Sequence, residues 1–294
     1  MEENLKMLAL IFILLTSTPV SVITQQDMLS IIVYNPLSGG VFPVTSSLVY
    51  SHSHEEAILF DAQFSTKDGQ NLEVLIKRSG KRLKRIIITC GDPDFYFGLE
   101  PVRKAYPHVE VVSSPKVATR IRDTKDAKLM LWAPMLKDGA PSELYVPNIT
   151  LKTTFTIGGQ PLELRSRDNY AAYIWIPRSR VILGGTGIGW GFHVFTADTQ
   201  TPEIRASWRQ VLQEMLDLKP EVVIPGHYVG DRPPGDEAIK FTLQYLEIFE
   251  EVLEANDYKN STAVIVTMKA LYPGLGLEGS LELSAKVNTG EMKF

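Results

Sequence analysis

Hydrophobic positions recur along this chain with two periods, and they switch between them several times. Leu29 to Tyr34, Ser47 to Tyr50 and Ala57 to Asp61 are short β-branched and aromatic runs, and they read as strands of one antiparallel sheet. The polar turn Ser51-His52-Ser53-His54-Glu55-Glu56 joins the last two. Helical spacing follows over Asn71 to Ser79, and then comes Ile86-Ile87-Ile88, a buried strand broken by Gly91 and Pro93. A helix is expected from Phe95 onward, a strand at Val109 to Val112, and a helix opened by Pro115 that runs toward Met130. The run from Leu131 to Pro147, with Trp132, Pro134, Gly139 and Pro141, breaks any period and reads as a loop. Strands resume at Ile149 to Ile157, Leu162 to Arg165, Ala172 to Ile176 and Val181 to Leu183. The helix Pro202 to Leu218, the strand Val222 to Ile224 and the amphipathic helix Ala238 to Ala255 complete the pattern. Strands followed by helices, with that order repeated once, predict an α/β fold in which two sheets pack face to face with helices outside.

Composition narrows the reading. The chain has 294 residues, is 44% hydrophobic and carries a formal charge of −4, which suffices for a large core and gives no basic footprint for nucleic acid. A single cysteine excludes intramolecular disulfides and Cys-x-x-Cys motifs. Met7 to Leu15, followed by Thr16-Ser17-Thr18-Pro19, has the length of a signal-peptide apolar region and is too short to span a bilayer. Residues 1–24 therefore read as a signal peptide or N-terminal hydrophobic leader, with secretion or periplasmic export if it is cleaved and membrane anchoring if it is kept. Residues 29–294 read as one domain, since no repeat, low-complexity tract or linker divides them. No membrane span is expected in the mature chain, and no oligomeric state is implied.

Chemistry-bearing residues gather in Thr89-Cys90-Gly91-Asp92-Pro93-Asp94, at the C-terminal end of a strand, where layered α/β proteins place ligands. Each has a structural alternative: Asp92 before Pro93 as a turn former, Asp94 as a helix N-cap, Cys90 as a small buried hydrophobe. His227, after Pro225-Gly226 at another strand end, projects toward the same crevice. The loop from Gly189 to Pro202 follows closely, so Trp190, Phe192 and His193 are candidates for a substrate wall, with His193 a candidate general base or ligand. Packing of these aromatics onto the core is the alternative.

The segment from Cys90 to Phe95 resembles the His-x-His-x-Asp-His signature of metallo-β-lactamase-fold hydrolases. Cys90 stands at the first His, Asp92 at the second, Asp94 at the Asp and Phe95 at the last His, so only the Asp is kept. Val222 to His227 is similar to the strand and Pro-Gly-His that supply the family's final histidine, and Ala57 to Asp61 to its early strand ending in Asp. The resemblance implies the family's αββα sandwich, two mixed sheets flanked by helices. It also implies hydrolysis of a small-molecule ester, lactone, amide or phosphoester, with zinc or another divalent metal as cofactor. A family histidine falls at Asp168 and the metal-bridging aspartate at Thr186, so the implied ligand set is Cys90, Asp92, Asp94, Asp168 and His227 around one ion. Thr186 joins Trp190 and Phe192 as a pocket residue. The alternative is a non-catalytic binding or scaffold protein that kept the fold and lost the metal.

Overall fold

The computed structural model describes residues 20–23, 29–166 and 171–294. The N-terminal half forms a seven-stranded sheet in sequence order: β1 (Val20–Ile23), β2 (Ser30–Tyr34), β3 (Ser46–Tyr50), β4 (Glu56–Phe60), β5 (Arg82–Ile88), β6 (Glu110–Ser113) and β7 (Asn148–Ile149). Pairing is antiparallel from β1 to β4 and parallel from β4 to β7. The parallel connections run through helices α1 (Thr66–Ser79), α2 (Leu99–Ala105) and α3 (Pro115–Leu136).

The second half repeats the logic. Strands β8 (Thr154–Ile157), β9 (Gln160–Ser166), β10 (Ala172–Ile176) and β11 (Val181–Leu183) are joined, past a two-residue strand β12 (Gly189–Trp190), by β13 (Val222–Ile224), in spatial order β13-β11-β10-β9-β8. A further short strand, β14 (His227–Tyr228), pairs in parallel with β12. Helices α4 (Pro202–Asp217), α5 (Glu237–Ala255), α6 (Ser261–Leu271) and α7 (Glu278–Asn288) complete the chain.

Alternation across the strands decides the layering. In β5, Ile86 and Ile88 pack on the helix side with Leu72, Ile76 and Val102, while Ile87 faces the second sheet with Val49, Ile58 and Phe60. Ile174, Ile176, Val181 and Leu183 close that inter-sheet core from the other side. Trp208, Leu212, Tyr245 and Phe249 build the outer layer against Ile182 and Val223. The αββα expectation therefore holds. No helix among the described residues is long and apolar enough to cross a membrane.

Three differences from the sequence reading have local causes. Helix α1 starts at Thr66, because the Ser65 hydroxyl accepts from the Asp68 amide at 3.0 Å and caps it. Helix α3 continues past Leu131 through Pro134 to Leu136, held down by Trp132, whose ring meets Phe42 at 5.5 Å and Phe64 at 5.7 Å edge-on. The run from Ile149 to Ile157 divides between sheets, β7 pairing with β6 and β8 with β9. Helices α6 and α7 form the C-terminal end of the chain beyond Ala255.

Candidate functional site

Strand ends from both sheets meet at one edge of the sandwich. Asp61 closes β4 with φ at +60°, and both its carboxylate oxygens accept from Thr89, from the amide and the hydroxyl, each at 2.7 Å. Thr89 in turn accepts the Ala172 amide at 2.7 Å through its carbonyl, and Cys90 bridges to Ala171, so the end of β5 is tied to the start of β10. From the other side the Gly226 carbonyl accepts the Thr45 amide at 2.8 Å, and His227 bridges to Val44.

Burial raises the Asp61 carboxyl to about 7; the two Thr89 bonds oppose that rise and the Asp94 charge adds to it. In the unfolded chain the group titrates near 4. The folded state binds this proton more tightly, so its contribution to stability is complete below about pH 4 and is lost as pH climbs through about 7. The urea midpoint of the wild type is accordingly expected to fall between about pH 5 and about pH 8 relative to Asp61→Asn. Parallel midpoints across that range would rule the assignment out.

Asp94 and His227, 133 residues apart, meet at this edge: His227 Nε2 lies 2.6 Å from Asp94 Oδ2. Both side chains keep some exposure, 13% for Asp94 and 16% for His227. Asp94 sits in the single turn Pro93–Phe95, and it caps neither that turn nor α2. The imidazole is flanked edge-on by Phe95, with centroids 5.3 Å apart, and by Phe192 at 6.1 Å. No other hydrogen bond reaches the His227 ring among the described residues. Thr186 lies close by, its amide nitrogen 2.9 Å from where a Cβ on Gly226 would sit.

Asp92 is engaged elsewhere. Its Oδ1 pairs with the Lys128 ammonium, with Arg120 Nη2 at 4.0 Å, and the Cys90 thiol donates to Oδ2 at 3.5 Å. Burial alone would raise this carboxyl, but Lys128 and then Arg120 hold it below its ordinary range. Arg120 also reaches Asp198 Oδ1 at 3.1 Å, and Asp198 is pushed up by burial and by the neighbouring Asp92 charge. Cys90 is fully buried among Val44, Phe95 and Ala171. Tyr96, also buried, points its hydroxyl into the field of Asp92, Cys90 and Asp94 without a hydrogen-bond partner among the described residues.

Two expected site residues lie elsewhere. His193 is 1% exposed, and its Nδ1 is 3.1 Å from the Tyr245 hydroxyl in the outer helical layer, which depresses its basicity through burial. Phe192 and His193 are consecutive in an extended segment, so when one faces His227 the other must face α5. Trp190 likewise packs on α5, its ring 5.3 Å from Phe241. His193 and Trp190 thus turn their rings toward the outer helical layer, onto Tyr245 and Phe241. Asp168 lies outside the described residues.

Among the described residues, the donors do not fit the ion that the family resemblance implies. Two ligands on one tetrahedral zinc stand about 3.3 Å apart, with bonds of about 2.0–2.1 Å. Asp94 and His227 are closer than that and bond each other. Asp92 is neutralised by Lys128 and shares its other oxygen with Cys90. Thr186, where the resemblance implies a bridging aspartate, offers only a hydroxyl. Among the described residues no three His, Cys, Asp or Glu side chains converge on a point.

Residues 39–227 match the family model described as the metallo-beta-lactamase superfamily. No curated protein matches. Among solved structures, a metallo-beta-lactamase from Pontibacter korlensis superposes with a TM-score of 0.53 at 22% identity, covering 78% of this chain and 99% of that one. TMB-1 superposes with a TM-score of 0.48 at 15% identity, covering 79% and 99%.

Proposed function

Because the chain belongs to the metallo-β-lactamase superfamily and yet carries a donor set unsuited to that family's metal, we propose a hydrolase-like protein with a metal-independent centre. Its substrate is a small ester or lactone, His227 is the general base, and Asp94 orients it. The observation that carries this reading is the 2.6 Å contact between Asp94 and His227 at a partly exposed strand edge. With Nε2 engaged by the carboxylate, Nδ1 is left to take a proton from water as the water oxygen attacks the substrate carbonyl. Asp94 stabilises the imidazolium so formed, and the proton passes to the departing alkoxide. Such assistance supplies about 10²–10⁴-fold, enough for an ester or a strained lactone. A phosphoester demands concentrated positive charge at the reacting oxygens, which Lys128 and Arg120 do not offer while they face Asp92 and Asp198. In this reading the hydrophobic stretch Met7 to Leu15 serves as an export leader that places the domain outside the cytoplasm; the expected boundary at residue 24 is corrected, because Val20–Ile23 pair with β2 as β1 and belong to the sheet.

The test is acid release from p-nitrophenyl acetate and a panel of γ- and δ-lactones, with and without chelator. Chelator-resistant turnover is expected, falling about 10²-fold or more in His227→Ala and in Asp94→Asn. Unchanged rates in His227→Ala would remove the base from the scheme. A folded wild type that turns over nothing on the panel would return the second reading, a binding protein that kept the fold. The pairing of Asp92 with Lys128 at a family ligand position favours that reading.

A further inference from the structure

We infer that the Lys128 ammonium, seconded by Arg120, supplies from within the chain the positive charge that a bound metal ion supplies in relatives, so that the centre is built around a tethered cation. The inference is independent of turnover. Asp92 stands at a family ligand position and is 15% exposed, beside a fully buried thiol. A carboxylate so placed needs a compensating charge close by. Helix α3 brings it: Arg120 and Lys128 are eight residues apart, close to two turns, and so share the face turned toward the Cys90–Tyr96 segment. Lys128 takes Asp92, and Arg120 spans Asp92 at 4.0 Å and Asp198 at 3.1 Å. Two carboxylates and two cations balance, and a divalent ion approaching Asp92 would meet the ammonium and the guanidinium first.

The arrangement does more than neutralise Asp92. The Phe95 and Tyr96 amides donate to the Asp92 and Pro93 carbonyls at 3.1 Å, so Asp92 opens the turn that carries Asp94. Anchoring Asp92 to α3 therefore fixes the turn that presents Asp94 to His227. Lys128 is in this sense a positioning residue, set by a helix distant in sequence.

The experiment compares the wild type with Lys128→Met, Asp92→Asn and the double variant, by elemental analysis and by thermal unfolding with and without chelator. Wild type is expected to carry well under one metal ion per chain and to melt at the same temperature in chelator. Lys128→Met is expected to melt lower by about 8 °C, the order of shift for a broken, largely buried ion pair in a chain of this size. The double variant should recover more than half of that loss, because a neutral Asn at 92 needs no cation. If Lys128→Met fails to fold, recovery in the double variant carries the same information. Near-stoichiometric metal that disappears in Asp92→Asn overturns the inference, and so do two single-variant losses that simply add. A wild type without turnover but with this coupling ends the hydrolase reading alone; turnover without the coupling ends the tethered cation alone.

Discussion

Arg205→Met is expected to lower stability by about 3–5 kcal/mol, the cost of leaving a buried carboxylate without its partner. Arg205 is fully buried, and its guanidinium forks onto Glu250, Nε to Oε2 at 2.5 Å and Nη2 to Oε1 at 2.9 Å. Nη1 donates to the Thr199 carbonyl at 2.8 Å and to the Asn288 side chain. Asn288 continues the network, its Nδ2 donating to the Thr196 carbonyl at 3.1 Å and to the Ser284 carbonyl at 2.9 Å. One side chain thus ties α4, α5, α7 and the segment leading into α4. Burial would raise Glu250, but the Arg205 hydrogen bonds, with help from Tyr258, hold it below its usual range. Lysine cannot reproduce the planar fork, so Arg205→Lys should recover only part of the loss. Urea unfolding of the two variants and of Arg205→Met/Glu250→Met checks this. A single-variant cost under about 1 kcal/mol, typical of an exposed pair, would refute it.

Gly226→Ala is expected to cost about 2–3 kcal/mol and to reduce turnover by about a hundredfold. A Cβ on Gly226 would lie 1.9 Å from the Gly185 carbonyl oxygen and 2.3 Å from its carbon. These are backbone atoms between two strand ends, so the clash cannot be relieved by a side chain turning aside. The 185–187 turn and the β13–β14 junction must separate, and His227, the next residue, moves with the junction. Asp94 does not follow, because it is held on its own turn by the Phe95 and Tyr96 amides. Unfolding midpoints and hydrolysis rates, compared with His227→Ala, test the claim. An alanine variant with wild-type rates would show that the close approach is not what holds the imidazole.

Much of this architecture was legible because it is written locally. Ile86, Ile87 and Ile88 give a strand wherever they fall, and Ile204, Trp208, Leu212 and Met215 give a helical stripe. Asp94 and His227 were legible through a family pattern and through their positions at strand ends. Lys128 and Arg120 were missed because an ion pair across 36 residues leaves no trace in periodicity. The only available signal was two cations eight residues apart on one helix face, in a chain whose suspect loop carries two acids. That His193 and Trp190 pack toward α5 was not legible, because the direction of a side chain in an irregular loop depends on which neighbour it packs against. Trp132 extended a helix through a segment rich in helix breakers for the same reason.

The pairing of Asp94 with His227 joins residues from opposite halves of the sandwich. The first half also reaches across through Thr45 to Gly226, and the Tyr228 amide donates to the Pro43 carbonyl at 3.2 Å. An imidazole and a carboxylate recruited in this way form a ruler laid over the seam: they can come into register only after each half has condensed and the two have docked. The Asp94–His227 pair at this edge therefore needs both halves at once, and a fragment ending before β14 lacks it however well its own sheet is formed.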